Sequence, residues 1–163
     1  MKHTLGILIA ALCFLILVGG STQAANGDTG KSFTYKTTKQ GDLEIVVHYP
    51  PGWKETDKRP AIVFFFGGGW NSGTIRQFEP QAKHIANRGM VAARADYRVK
   101  SRHGVRPNDC VEDAKSAVRW MRQNATKLGV DPDRIVSAGG SAGGHIAACT
   151  ASVSYTHLRA HET

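Results

Sequence analysis

The chain is short of acidic residues, sparing with cysteine, and free of long basic runs, internal repeats and linkers. Aspartate and glutamate number 13 against 21 lysines and arginines, which leaves a net charge of +8. Yet no basic run exceeds two residues and no aromatic–basic interleaving occurs. That pattern excludes a nucleic-acid surface and leaves a solvated basic face, with weak attraction to acidic polysaccharide as the alternative. Of the three cysteines, Cys13 lies in an apolar leading run. Cys110 and Cys149 fall in expected helices among apolar neighbours, where a free thiol packs as a small hydrophobe. An oxidising compartment would permit a bridge between them, which is not the favoured reading. No His or Asn constellation accompanies Cys110, so a cysteine nucleophile is a weaker reading still. Without repeats or linkers, one domain is the economical count.

Nor is there an apolar run long enough to cross a membrane comfortably. Leu5 to Val18 is almost wholly apolar, follows the basic start Met1-Lys2-His3, and leads to the small residues Ser21 to Ala25. That is the layout of a secretory signal peptide, residues 1–24, with an uncleaved anchor as runner-up. The expected location is secreted or periplasmic, with no stable membrane association after cleavage. At the other end, Val153 to Thr163 reads as a translated sequencing-library adapter, since the codons of a transposon mosaic end and its adjoining primer spell this string. Residues 153–163 are therefore set apart from the fold, as is the apparent i, i+4 metal pair His157 and His161. The domain is expected over residues 25–152.

The most informative stretch is Arg134-Ile-Val-Ser-Ala-Gly-Gly-Ser-Ala-Gly-Gly-His145. Ile135 to Ala138 reads as a buried strand. Gly139-Gly140-Ser141-Ala142-Gly143 fits Gly-x-Ser-x-Gly, and a small-residue helix follows from Gly144 to Ala151. Strand, sharp turn and helix is the context in which this motif means a nucleophile elbow. Small flanks let strand and helix approach, Ser141 sits at the tip, and the Ala142 N–H points where a tetrahedral oxyanion would form.

A second segment supports it. The strand-like run Pro60 to Phe66 is followed by Gly67-Gly68-Gly69-Trp70. Glycines allow a backbone to turn its N–H groups outward without Cβ clashes, as the other side of an oxyanion hole requires. No Lys-Ser or Lys-Thr follows this triplet to open a helix, which excludes a phosphate cradle there. The candidate site is thus Ser141 as nucleophile, with Gly68, Gly69 and Ala142 as oxyanion donors. No metal or cofactor is expected.

With these motifs placed, the chain resembles the α/β-hydrolase esterases and lipases, specifically the branch whose oxyanion loop reads His-Gly-Gly-Gly. The resemblance rests on Phe66-Gly67-Gly68-Gly69-Trp70, Asp96-Tyr97-Arg98, Asp113 to Trp120, Gly129 to Ile135 and Gly139 to His145, an ordered set running from about Tyr35 to Ala151. One departure stands out. The family's first loop residue is usually a His that props the loop by hydrogen bonds, and here it is Phe66, which would have to do so by packing. The resemblance implies a catalytic acid and His after the serine in chain order, so the C-terminal half, on the order of 100 residues, is expected to be missing.

The remaining pattern is α/β. Ser32 to Thr38 and Leu43 to Tyr49 form an expected hairpin. Pro60 to Phe66 and Met90 to Ala95 are buried strands. Glu79 to Arg88 and Asp109 to Ala125 are expected helices, the second with Val111, Ala114, Val118 and Met121 on one stripe. Val99 to Pro107 reads as a basic loop. Strand alternating with helix predicts a largely parallel sheet with flanking helices. His145 is expected to pack or meet its helix surface, His84 and His103 to lie on the surface, and Asp96 and Arg98 to anchor structure. The reading is a serine hydrolase of carboxylic esters, its substrate a small-molecule or polysaccharide-linked ester, and the fragment itself inactive. A serine peptidase of the same fold and a non-catalytic binding protein are the alternatives.

Overall fold

The computed structural model describes residues 30–152. The expectations for the leading segment 1–24, for Cys13 and for 153–163 lie outside the described residues.

Two antiparallel strands open the fold, β1 (Lys31–Thr38) and β2 (Gly41–His48). Their turn is held by Thr38, whose Oγ1 accepts from Gln40 N at 3.1 Å and donates to Gly41 O at 2.8 Å. Three further strands follow, β3 (Arg59–Phe65), β4 (Val91–Ala95) and β5 (Val130–Gly139). They form one five-stranded sheet in the order β1-β2-β4-β3-β5. The α/β expectation stands, but the sheet is mixed rather than largely parallel. β3 pairs in parallel with β4 and β5, while β2 runs antiparallel to both β1 and β4. The reason is connectivity. A tight turn reverses β2 against β1, and the long loop after His48 brings the chain back so that β3 and β4 run opposite to β2.

Among the described residues four helices flank the sheet: α1 (Glu79–Asn87), α2 (Lys100–His103), α3 (Pro107–Gln123) and α4 (Ala142–Ser152), with a 3₁₀ turn at Ile75–Phe78 before α1. Prolines sit in the first turns of α1 and α3, where the missing N–H costs no intrahelical bond. Asp109 closes the start of α3 by accepting from Arg106 N at 2.9 Å. The expected basic loop at 99–107 is in part helix: α2 is a single turn, too short to show periodicity, ended by Gly104 at φ +69°.

Strands buried on both faces feed two cores, and the period of two sorts the residues. Ala61, Val63 and Phe65 of β3, with Val91, Ala93 and Ala95 of β4, face the main core beneath α3 and α4. Phe64 and Ala92 face a smaller cluster against Ala82 and Ala86 of α1. On α3 the buried stripe is Cys110, Ala114, Ala117, Val118 and Met121, while Val111 packs only at its margin. β5 is an edge strand whose Val136 is 54% exposed. Beside it, a groove of 620 Å³ runs between β5 and α4.

Candidate active site

The C-terminal ends of β3, β4 and β5 meet at one end of the sheet, and the candidate residues gather there. β5 ends at Gly139 and α4 begins at Ala142, so only Gly140 and Ser141 make the turn. Ser141 takes φ +52°, a left-handed conformation costly for a residue with a Cβ. Gly143 N donates to Gly140 O at 2.9 Å and His145 N to Ser141 O at 3.1 Å, which ties the turn into the first helical bonds. The exposed serine therefore projects from a strained corner, and its Oγ makes no hydrogen bond among the described residues.

The glycines of the corner are contact points. A Cβ on Gly139 would stand 2.5 Å from the Gly143 carbonyl carbon and 2.6 Å from Phe65 O. One on Gly143 would run into the Phe65 and Phe66 carbonyls. Any larger residue would push α4 off the end of β3.

Gly67 packs directly on this corner: a Cβ there would lie 2.7 Å from Gly140 O and 3.4 Å from Ser141 Cβ. The loop then turns through left-handed residues, Gly68 at φ +136°, Gly69 at +61° and Trp70 at +59°. The Gly67 amide is committed, donating to Gln77 Oε1 at 2.6 Å. The amides of Gly68 and Gly69 donate to no acceptor among the described residues, and both glycines are exposed. Ala142, the first residue of α4, is buried, and its N–H lacks an intrahelical acceptor. Gly68 and Gly69 thus follow directly on the residue that touches the corner, and Ala142 follows directly on Ser141.

Several anchors of this loop are absent from the sequence reading. The Phe66 ring stacks on Tyr97 at 4.0 Å and 12°, and Tyr97 Oη donates to Phe66 O at 2.6 Å. Burial pushes the Tyr97 phenol well above its usual range, so it remains a donor. Lys100 N donates to Trp70 O and Ser101 N to Asn71 O, each at 3.0 Å, and Ser101 Oγ adds a bond to Asn71 O. Gly67's contact with the elbow had a local signal, the glycine itself, and packing by Phe66 was expected, though not its partner Tyr97. Gln77 and Ser101 lie in segments with no motif.

The charged residues at the strand ends are structural. Asp113 is fully buried and binds Lys36 Nζ at 2.6 Å, with Arg98 forked across both its oxygens at 2.8 and 3.0 Å. The hydrogen bond to Asp113 holds the Arg98 guanidinium above its ordinary pKa. Asp96 accepts from Arg102 Nη2 at 3.0 Å and from Tyr97 N at 2.9 Å. Cys110 and Cys149 are both unbridged. Burial, then the Asp113 charge, pushes the Cys110 thiol up to about 11.

No imidazole of the described histidines bonds to Ser141. His145 is exposed, one turn along α4, with its ring edge-on to Trp70 at 5.5 Å and Nε2 at 3.7 Å from Cys149 Sγ. His103 Nδ1 accepts from Val99 N at 2.9 Å at the start of α2. His48 is buried, accepting from Arg94 Nε at 3.2 Å, and His84 lies exposed on α1. Among the described residues no group of three or more His, Cys, Asp or Glu side chains is placed to hold a metal ion.

Residues 45–161 match the family model described as BD-FAE. Carboxylesterase NlhH of Mycobacterium tuberculosis is 36% identical over 111 residues, which cover 68% of this chain and 34% of the relative. The propionate-bound structure of the thermophilic esterase Est2 from Thermogutta terrifontis superposes with a TM-score of 0.73 at 58% identity, covering 74% of this chain and 44% of that one. The same organism's esterase 2 phosphorylated by paraoxon matches at 57% identity and TM-score 0.73, over 74% and 46% of the two chains. The chain spans about a third of the length of this curated relative and under half of these solved chains.

Proposed function

The chain belongs to the BD-FAE family, within the α/β-hydrolase esterases, and from that premise we propose that the protein is a serine hydrolase that cleaves carboxylic esters through an acyl-enzyme. The observation that carries this reading is Ser141 at φ +52° between β5 and α4, with Gly67 seated on the same corner. Ser141 Oγ attacks the ester carbonyl carbon and its proton passes to a histidine. The Gly68, Gly69 and Ala142 amides hold the oxyanion, the alcohol leaves with that proton, and water then releases the acid. The base and the acid that orients it follow the serine in this fold's chain order. No described imidazole is hydrogen-bonded to Ser141, so both are assigned to sequence outside residues 30–152, and the 163-residue chain alone is expected to turn over no ester. The propionate in the related esterase supports a short acyl group, and that relative's phosphorylation by paraoxon supports a nucleophilic side chain. The substrate is a small-molecule or polysaccharide-linked ester, met outside the cytoplasm if residues 1–24 direct secretion.

The test joins residues 30–152 to the native downstream sequence and assays p-nitrophenyl propionate hydrolysis. Ser141→Ala is expected to remove nearly all turnover. Retention of more than about a hundredth would overturn the assignment, because loss of a nucleophile costs far more.

A further inference from the structure

A second cavity, of 500 Å³, opens at the far end of the sheet from Ser141. Trp53 and Leu128 line it, just before β3 and β5 begin, whereas Ser141 and the glycine loop follow the ends of those strands. At ~3.3 Å per residue, a strand the length of β3 separates the two places by about 20 Å. Phe33 of β1, Tyr49 after β2 and Trp120 of α3 complete an aromatic wall. The rings are set in two tilted pairs, Tyr49 with Trp53 at 4.2 Å and 45°, and Phe33 with Trp120 at 5.3 Å and 49°. Trp53 is fixed by its indole N–H, which donates to Leu128 O at 2.8 Å. All four rings pack on the core yet stay partly exposed, so core packing accounts for only part of their surface.

Polar groups share the same wall. Lys31, Lys127 and Glu55 line the groove, and none of them makes a salt bridge with a described residue. Lys31 Nζ lies 5.1 Å from the centre of the Phe33 ring. Asn124 donates its amide N–H to Trp120 O, leaving its side-chain oxygen for another donor. A wholly apolar occupant would strip water from these groups without replacing it, which is unfavourable. A cation would gain from the rings and Glu55 but meet two ammonium groups. An occupant with flat C–H faces and negative charge suits the rings and the two ammonium groups, and its hydroxyls can donate to Glu55 and to the Asn124 side-chain oxygen. The chain's net charge of +8 draws such a polymer to its surface.

We propose that this groove binds an acidic oligosaccharide, with uronate pyranose rings stacked on Trp53 and Trp120 and their carboxylates beside Lys31 and Lys127. The site is separate from the serine corner and would tether the protein to acidic polysaccharide whatever reaction occurs at the other end of the sheet.

The experiment titrates trigalacturonate, and separately xylotriose as a neutral probe, into the full chain while following tryptophan fluorescence and heat. Trigalacturonate is expected to shift the emission and bind, and xylotriose to bind at least tenfold more weakly. Trp120→Ala and the double variant Lys31→Gln/Lys127→Gln should each weaken trigalacturonate binding at least tenfold. The double variant changes only exposed side chains and keeps the test valid if Trp120→Ala fails to fold. Lys39→Gln, at the other end of the β1–β2 hairpin, should change nothing. Equal binding of the neutral probe, an equal loss in Lys39→Gln, no response to the double variant, or no binding at all would each overturn the proposal.

Discussion

Gly143→Ala separates two physical arguments that predict opposite signs. Gly143 is the second residue of α4, and helix propensity alone favours alanine over glycine by about 0.8–1.0 kcal/mol. Contact argues the other way. The added methyl would point into the carbonyl oxygens of Phe65 and Phe66, with the Phe65 carbonyl carbon at 2.7 Å, where ordinary van der Waals contact begins at 3.4 Å. These are backbone atoms at the end of a buried strand and cannot rotate away, so α4 or β3 must shift. Overpacking of this kind costs about 1–3 kcal/mol, and rigid partners place this site at the upper end. The net expectation is a loss of about 2 kcal/mol. With a urea slope of about 2 kcal/mol per molar, the unfolding midpoint falls by about 1 M at unchanged slope. Gly144→Ala serves as the comparator. Its nearest atom is Gly139 O at 3.2 Å, so propensity and crowding should nearly cancel. Circular dichroism during urea unfolding reads both. A Gly143→Ala variant as stable as the parent would refute the claim that this glycine exists for contact between helix and strand.

Asp113→Asn removes a buried charge that Arg98 and Lys36 share, and should destabilise by about 3 kcal/mol, since one partner of a buried pair is left uncompensated; an unchanged unfolding midpoint would contradict this. Thiol labelling of native protein near pH 8, mapped by peptide, should modify Cys149 readily and Cys110 only after unfolding, and prompt reaction of Cys110 would show that it is not sealed. Because the Cys110 pKa is raised in the fold from 9.0 to about 11, its contribution to stability is complete below the lower value and is lost as pH rises toward the higher one. Stability measured across that window should fall, and a rise would invert the argument. Gly69→Val places a branched side chain at φ +61° with no atom nearby to clash, so its effect is on backbone shape alone. In the assembled enzyme turnover should fall about 100-fold with substrate affinity little changed, whereas a loss confined to affinity would make the loop a pocket wall.

Much of the architecture was legible in the chain because its central strands, β3 and β4, are mostly apolar and buried on both faces, and the structure places both inside the sheet. The stretch Ile135 to Ala138, expected as a buried strand, is instead part of the half-exposed edge strand β5. The elbow was legible for a related reason: glycines before and after Ser141 are needed for close approach, and that need is local in sequence. What did not show was anything set by partners far along the chain. Arg94 sits inside an otherwise apolar strand and is buried, bonded to Ile75 O at 2.8 Å and to His48. Its partners lie 19 and 46 residues away, and nothing around Arg94 announces them. The antiparallel join of β2 to β4 was missed for the same reason, since an apolar pattern records burial but not strand direction.

The glycine loop shows how this division bears on chemistry. Its composition permits left-handed backbone, and Gly68 and Gly69 take φ +136° and +61°. Its position is another matter. Its first residue is Phe66, and an apolar ring cannot direct a loop by hydrogen bonds. The stack on Tyr97 fixes the ring, and the Tyr97 hydroxyl fixes the same residue's carbonyl. Gln77 takes the next amide, and the start of α2 takes the carbonyls of Trp70 and Asn71. Each anchor comes from a different segment, between 10 and 31 residues from its target. Control of the loop therefore rests on a set of distant contacts. Any change in Gln77, Tyr97 or Ser101 should then shift the two outward amides without touching either glycine.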